Sequence, residues 1–222
     1  MKLTFLGHAA FLLQGSKTII IDPFITGNPS AKIKVKEIPK VDYVLITHDH
    51  EDHIGDALKI AKRDKAKVIA IYEVIKKYIP QKEGMIAKKA VGMNIGGTFI
   101  DNNIKFSMTL AFHSCYNGHP AGFVVEMDKK KIYHAGDTAL FSDMKLIGQK
   151  FKLDLALLPI GGHYTMHEEE AAQAVKLLKP KLTVPMHYNT WPIIKADPKQ
   201  FARLCGKEKV KILKTNQILE LK

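Results

Sequence analysis

Residues 46–53 read I-T-H-D-H-E-D-H and directly follow the apolar run at 41–45. Three imidazoles and three carboxyls in the six residues 48–53 serve no core, but they are the groups that coordinate cations. A loop would present His48 and His50 two residues apart, while Asp52 and His53 open the following helix. Neighbouring side chains then diverge toward two points a few ångströms apart. Three more donors close strand-like runs elsewhere: His113 after 104–112, Asp137 after 131–136, and His187 after 181–186. Taken singly, His113 reads equally well as a core histidine, and Asp137 and His187 as residues of ordinary turns or caps. The 48–53 cluster changes that balance, because a metal centre needs donors from distant segments. With these three the set reaches up to seven ligands, enough for two cations that share a carboxylate.

These groups must be positioned by a sheet. The apolar runs at 3–7, 9–15, 18–22, 41–47 and 67–72 read as strands, with helices expected over 54–63 and over 73–79, the latter ended by Pro80. This βαβα order predicts a largely parallel sheet covered by helices. Further strands are expected at 94–101, 104–112, 121–127, 131–136, 153–160, 181–186 and 210–215, and helices at 167–179 and 197–205. The candidate ligands all fall at carboxyl ends of strands, the edge where open α/β sheets bind ligands. No linker or low-complexity tract divides the chain, so residues 1–222 read as a single domain. Two halves that each close on a βα pattern suit a pseudo-symmetric pair of sheets.

Composition narrows the class. With 46% apolar residues the chain can bury a full core. The amino terminus lacks a signal-peptide layout and no run approaches membrane-spanning length, so a cytoplasmic protein without a membrane partner is expected. Cys115 and Cys205 lie far apart without a CxxC, which argues against a disulfide scaffold or thiolate zinc site. The net charge of +12 comes from scattered lysines rather than lysines massed with aromatics, so it reads as a solvated surface and a nucleic-acid partner is not expected.

T-H-D-H-E-D-H, A-G-D-T and the late strand-end histidine, in that order, resemble the metallo-β-lactamase superfamily. F-L-G-H-A, I-I-I-D-P-F-I-T-G-N-P, H-P-A-G-F, Y-H-A-G-D-T and V-P-M-H-Y-N-T-W extend the resemblance over nearly the whole chain. They point to its small branch of predicted metal-dependent hydrolases related to the ascorbate-phosphate lactonases. The resemblance implies an α/β fold, a four-layer αββα sandwich with the site at one sheet edge. It also implies His48, His50 and His113 on one metal, Asp52, His53 and His187 on the other, and Asp137 bridging. His119 stands where relatives often carry Asn, and the segment from His113 to His119 is short, so the substrate pocket is expected to differ from theirs. Relatives with redox di-iron centres usually carry Glu at position 50, so His50 favours hydrolysis.

The chemistry expected is that of a binuclear metal-dependent hydrolase. A metal-bridging hydroxide would replace any serine or cysteine nucleophile, and Asp52 would orient it and pass a proton to the leaving group. Two divalent metal ions are implied. The all-His/Asp set suits Zn²⁺ first, with Mn²⁺, Fe²⁺, Co²⁺ or Ni²⁺ also compatible. A centre with a net charge of about +1 favours a small anionic ester, lactone or phosphodiester. His8 in the first turn and His163 after 153–160 are candidate substrate contacts, and Asp22, ending a buried strand, is a candidate to hold a ligand histidine from behind. His134 reads as structural and His167 as a helix cap. Trp191 reads equally as a pocket wall beside His187 and as a hydrophobic plug. The rival readings are a nuclease or phosphodiesterase acting on nucleic acid and a non-catalytic metal-binding scaffold; a homo-oligomer stays open.

Overall fold

The computed structural model describes residues 1–79 and 84–222 of the chain, so the expected helix end at Pro80 lies outside the described residues. The first half runs β1 (Lys2–Gly7), β2 (Ala10–Gln14), β3 (Thr18–Ile21), β4 (Tyr43–Leu45), α1 (Glu51–Ile54), α2 (Ala57–Asp64), β5 (Lys67–Ile71), α3 (Tyr72–Tyr78), α4 (Met85–Lys89) and β6 (Ala90–Met93). The second half runs β7 (Thr98–Asp101), β8 (Ile104–Leu110), β9 (Ala121–Met127), β10 (Lys130–His134), α5 (Met144–Phe151), β11 (Leu155–Pro159), α6 (Glu168–Leu178), β12 (Leu182–Met186), α7 (Pro198–Cys205) and β13 (Ile218–Glu220).

Two mixed sheets form, in the orders β13-β1-β2-β3-β4-β5-β6 and β12-β11-β10-β9-β8-β7. Each opens with antiparallel strands and finishes with parallel ones, β3 to β6 in the first and β10 to β12 in the second. The parallel sheet read from the βαβα order is therefore only half of the first sheet; hairpin-length connections leave β1, β2 and β3 no choice but antiparallel pairing. The pseudo-symmetry of the halves is present.

The sheets pack face to face. Phe11 of the first meets His134 of the second at 5.8 Å between ring centroids, and Tyr43 meets Phe106 at 4.9 Å. Helices cover the outer faces, α2 and α3 against the first sheet and α6 against the second. The inner faces are the Ile-, Val-, Leu- and Phe-rich strands themselves; each fully buried large apolar side chain contributes about 1.5–3 kcal/mol. Helix ends follow local chemistry. Asp197 caps α7 by accepting from Lys199 N at 2.9 Å, and His167 N donates to Glu170 Oε2 at 3.0 Å at the start of α6.

Three local expectations are corrected. The helix expected over 54–63 is two helices, because Gly55 takes φ +34° and turns the chain. The strand expected at 210–215 reduces to one bridge, Thr183 to Val210, and β13 occupies the first sheet's edge instead. Helix α5 and strand β6 were not anticipated: Met144, Gly148 and Phe151 are a sparse apolar stripe, and Ala90–Met93 holds a central glycine.

Candidate metal centre

The carboxyl ends of β4, β8, β10 and β12 deliver their donors to one place. After β4 the chain continues through Ile46 and Thr47 into His48, Asp49 and His50, then coils into α1, which carries Asp52 and His53. His113 follows β8, Asp137 follows β10 and His187 follows β12. Ligand-type atoms gather in three overlapping groups, each within 4.8 Å: His48, His50 and His113; His48, His53 and Asp137; and His8, Asp52, His53 and His187. All seven sequence-derived metal candidates are thus brought together, and His8 joins them.

Asp137 Oδ2 lies 2.9 Å from His187 Nε2, 3.3 Å from His53 Nε2 and 3.6 Å from His113 Nε2, so it sits between the two outer groups. Gly136 makes this approach feasible. Its φ is +63°, and a Cβ there would fall 2.5 Å from Ala121 O. His48, His53, Asp137, His187 and His8 are buried, while His50, His113 and Asp52 are half-buried and face the opening.

Behind the donors lies a hydrogen-bond frame. Asp22, fully buried, accepts from Thr47 N at 2.8 Å, Thr47 Oγ1 at 2.7 Å and His53 Nδ1 at 2.8 Å. Because Thr47 Oγ1 spends its proton on Asp22, it accepts from His48 Nδ1 at 3.0 Å. Both imidazoles therefore keep Nε2 for the centre, an orientation assigned from the network of donors and acceptors. His8 is ordered similarly, with Nδ1 2.8 Å from Thr190 Oγ1 and Nε2 3.0 Å from Asp52 Oδ2. His187 N donates to His8 O at 2.9 Å, which ties β12's end to the first turn.

The electrostatics ask for positive charge. Burial would depress the His53 and His187 imidazoles, but the carboxylates together outweigh it: Asp137 with Asp22 holds His53 well above the ordinary imidazole value, and Asp137 with Asp52 pushes His187 up to about 9. Burial would raise Asp137 and Asp52, yet His187 with His53, and His187 with His8, hold both carboxyls well below the usual range. His48 and His113 are lowered, chiefly by burial, and burial with His187 brings His8 to about 4. Without a cation, then, protons on His53 and His187 must neutralise a buried carboxylate. His187 Nδ1 and Asp137 Oδ1 are buried with no hydrogen-bond partner among the described residues, and Nε2 of His53 and of His187 meet only the Asp137 and Asp52 carboxylates. A divalent cation satisfies such atoms and replaces those protons, so the residues fit one.

Other sequence-derived candidates separate here. Asp22 does hold a ligand-type histidine from behind. His163 is exposed, its ring against Tyr164 at 4.5 Å, and among the described residues nothing links it to the cluster. His134 bridges Ala9 O and Gly136 N inside the sandwich, as expected of a structural residue. Trp191 stands beside His8 at 5.0 Å. The roles of Thr47, Thr190 and Asp49 are not readable from spacing; the only signal was that Asp49 lies within the donor-rich turn.

Comparison with known proteins places this geometry. Residues 17–188 match the family model described as a beta-lactamase superfamily domain. Over the full length of both chains the protein is 51% identical to a UPF0173 metal-dependent hydrolase of Thermococcus onnurineus and 48% identical to one of Pelotomaculum thermopropionicum. It superposes on Igni18, a metallo hydrolase from Ignicoccus hospitalis, with a TM-score of 0.91 and 42% identity, covering 100% of this chain and 99% of that one. An isothiocyanate hydrolase from Delia radicum gut bacteria, 19% identical with a TM-score of 0.80 and covering 100% and 99% of the two chains, shares the fold. No helix among the described residues is long and apolar enough to cross a membrane. With a metal-suited His/Asp cluster at the sheet edge and matches along its entire length, the chain belongs to the UPF0173 metal-dependent hydrolases of the β-lactamase superfamily.

Proposed function

We propose that the chain works as one unit whose cluster holds two divalent cations and hydrolyses a small, anionic ester, lactone or phosphodiester in the cytoplasm. His48, His50 and His113 would hold one cation, Asp52, His53 and His187 the other, with Asp137 between them. The observation that carries this reading is the convergence of buried His53, His187 and Asp137 atoms, satisfied only by one another, where three donor groups overlap. When bound, such cations acidify water, from a pKa of 15.7 to about 7, and polarise the oxygen of the bond under attack. The nitrogen and oxygen donors, without thiolate, suit Zn²⁺ first and leave Mn²⁺ and Fe²⁺ compatible.

The chain's own groups do the rest. Asp52, whose side chain is more exposed than that of Asp137, would take up a proton from the attacking water and return it to the leaving group. His8 donates to Asp52 and keeps that carboxyl aimed, with Thr190 fixing the His8 tautomer. A small molecule is favoured over nucleic acid because the lysines are scattered along the chain rather than massed with aromatic residues. The test is metal content by inductively coupled plasma mass spectrometry for wild type, H48A and D137A, followed by an ester, lactone and phosphodiester screen. About two equivalents in wild type and fewer in both variants support the reading. A wild type that takes up none in excess metal refutes it.

A further inference from the structure

Asp49 lies in the middle of the histidine turn, yet it joins none of the three donor groups. It is buried, and its two oxygens accept four hydrogen bonds: Tyr116 N at 2.8 Å and Asn117 N at 3.2 Å on Oδ1, Asn117 Nδ2 at 2.7 Å and Tyr78 Oη at 3.3 Å on Oδ2. Three of these come from the exposed loop just after His113. Ser114, Tyr116 and Gly118 are all exposed, and the loop's other hydrogen bonds are weaker: Cys115 Sγ donates to Gly118 O at 3.2 Å and Tyr116 Oη to Glu51 Oε2 at 3.4 Å. Four bonds to one buried carboxyl are a strong clamp for so short a segment.

What the clamp presents is the Tyr116 ring. It is 63% exposed and stands edge-on to His50 with centroids 5.1 Å apart. At the other end of the cluster Trp191 stands edge-on to His8 at 5.0 Å, backed by Phe24 at 6.0 Å. Aromatic rings thus flank the two outer donor groups. Rings in these two positions would meet the part of the substrate that does not react.

We infer that Tyr116, held in place by Asp49, is a specificity-determining residue that receives an aryl group of the substrate beside the scissile bond. This rests on the metal-centre reading above. Asp49 acts as a positioning residue through Tyr116 and takes no part in the chemistry. A flat ring meeting a fixed aromatic edge gains selectivity beyond its buried area, whereas a phosphate-bearing or purely aliphatic group gains nothing from it.

Trp191 is the only tryptophan, so its fluorescence reports this site directly. The experiment titrates zinc-loaded protein with benzohydroxamate and acetohydroxamate, which share a metal-binding head and differ in the ring. Wild type is expected to bind the aryl compound at least about fivefold more tightly. That preference should vanish in Tyr116→Ala and in Asp49→Ala and be retained in Tyr116→Phe, each at wild-type zinc content and with a native circular dichroism spectrum. Equal affinities in wild type, or a preference unchanged in Tyr116→Ala, overturn the inference. Loss of the preference in Tyr116→Phe moves the role from the ring to the hydroxyl and also overturns it. Zinc content measured on the same samples separates the two readings. Absence of zinc refutes the metal centre, and zinc present without the aryl preference refutes only the role of Tyr116.

Discussion

Replacing Asp22 by Asn should weaken metal binding without unfolding the protein, although Asp22 touches neither solvent nor the open side of the centre. Asp22→Ala would be uninformative. It leaves Thr47 N–H and His53 Nδ1–H unpaired in the interior at about 1–3 kcal/mol each, or roughly 2–6 kcal/mol, against a total of about 5–15 kcal/mol for a typical domain. Asn keeps the shape. Its oxygen must take the Oδ1 position to accept from Thr47 N, which places the amide nitrogen where Oδ2 now faces Thr47 Oγ1 at 2.7 Å and His53 Nδ1 at 2.8 Å. His53 Nδ1 must then accept, so its proton moves to Nε2, the atom 3.3 Å from Asp137 Oδ2. Thr47, losing its acceptor, turns its proton toward His48 Nδ1 at 3.0 Å and drives the same change there. Two imidazoles would then present N–H where a cation needs a lone pair. Removing such a supporting partner typically costs 10–100-fold in metal affinity, about 1.4–2.7 kcal/mol. Competition with a chromogenic chelator measures it, with melting curves in chelator as the control for folding. A folded Asp22→Asn protein with wild-type zinc affinity would falsify the orientation scheme.

Metal uptake should release protons. With His187 at about 9 and His53 also raised, both are protonated in the metal-free protein near pH 7, so affinity should climb as pH rises from 7 toward 9. Isothermal titration in buffers of different ionisation enthalpy counts the protons, and an affinity flat in pH contradicts the assignment. Gly136→Ala should cost at least about 1–2 kcal/mol, because a Cβ at φ +63° is strained and meets Ala121 O. Since Asp137 is the next residue, metal content should fall along with the denaturation midpoint; an unchanged value for both would show that the turn tolerates the methyl group.

Much of the centre was legible because its residues carry their meaning in type and order. T-H-D-H-E-D-H gathers cation-binding groups that no apolar core needs, and the strands before His113, Asp137 and His187 announce themselves as β-rich runs ending in a donor. Helices with dense apolar stripes and charged caps, such as α6 and α7, were equally plain. What failed were elements stabilised from outside. Strand β13 has no apolar core of its own and exists by pairing with β1, and the Gly55 turn splits a helix whose periodicity reads as continuous.

By itself the sequence determined which groups could bind a cation, that they end strands, and that the chain could bury an α/β core around them. Only the tertiary structure decided how they act. Asp22 and His53 are 31 positions apart and Asp49 and Asn117 are 68 apart, and His8 meets Thr190 across 182. Contacts of that separation depend on how two sheets stack and where their edges meet, and no local pattern encodes them. The same stacking left His163 outside the cluster, although it follows the strand-like run at 153–160: the turn that carries it points its ring toward solvent.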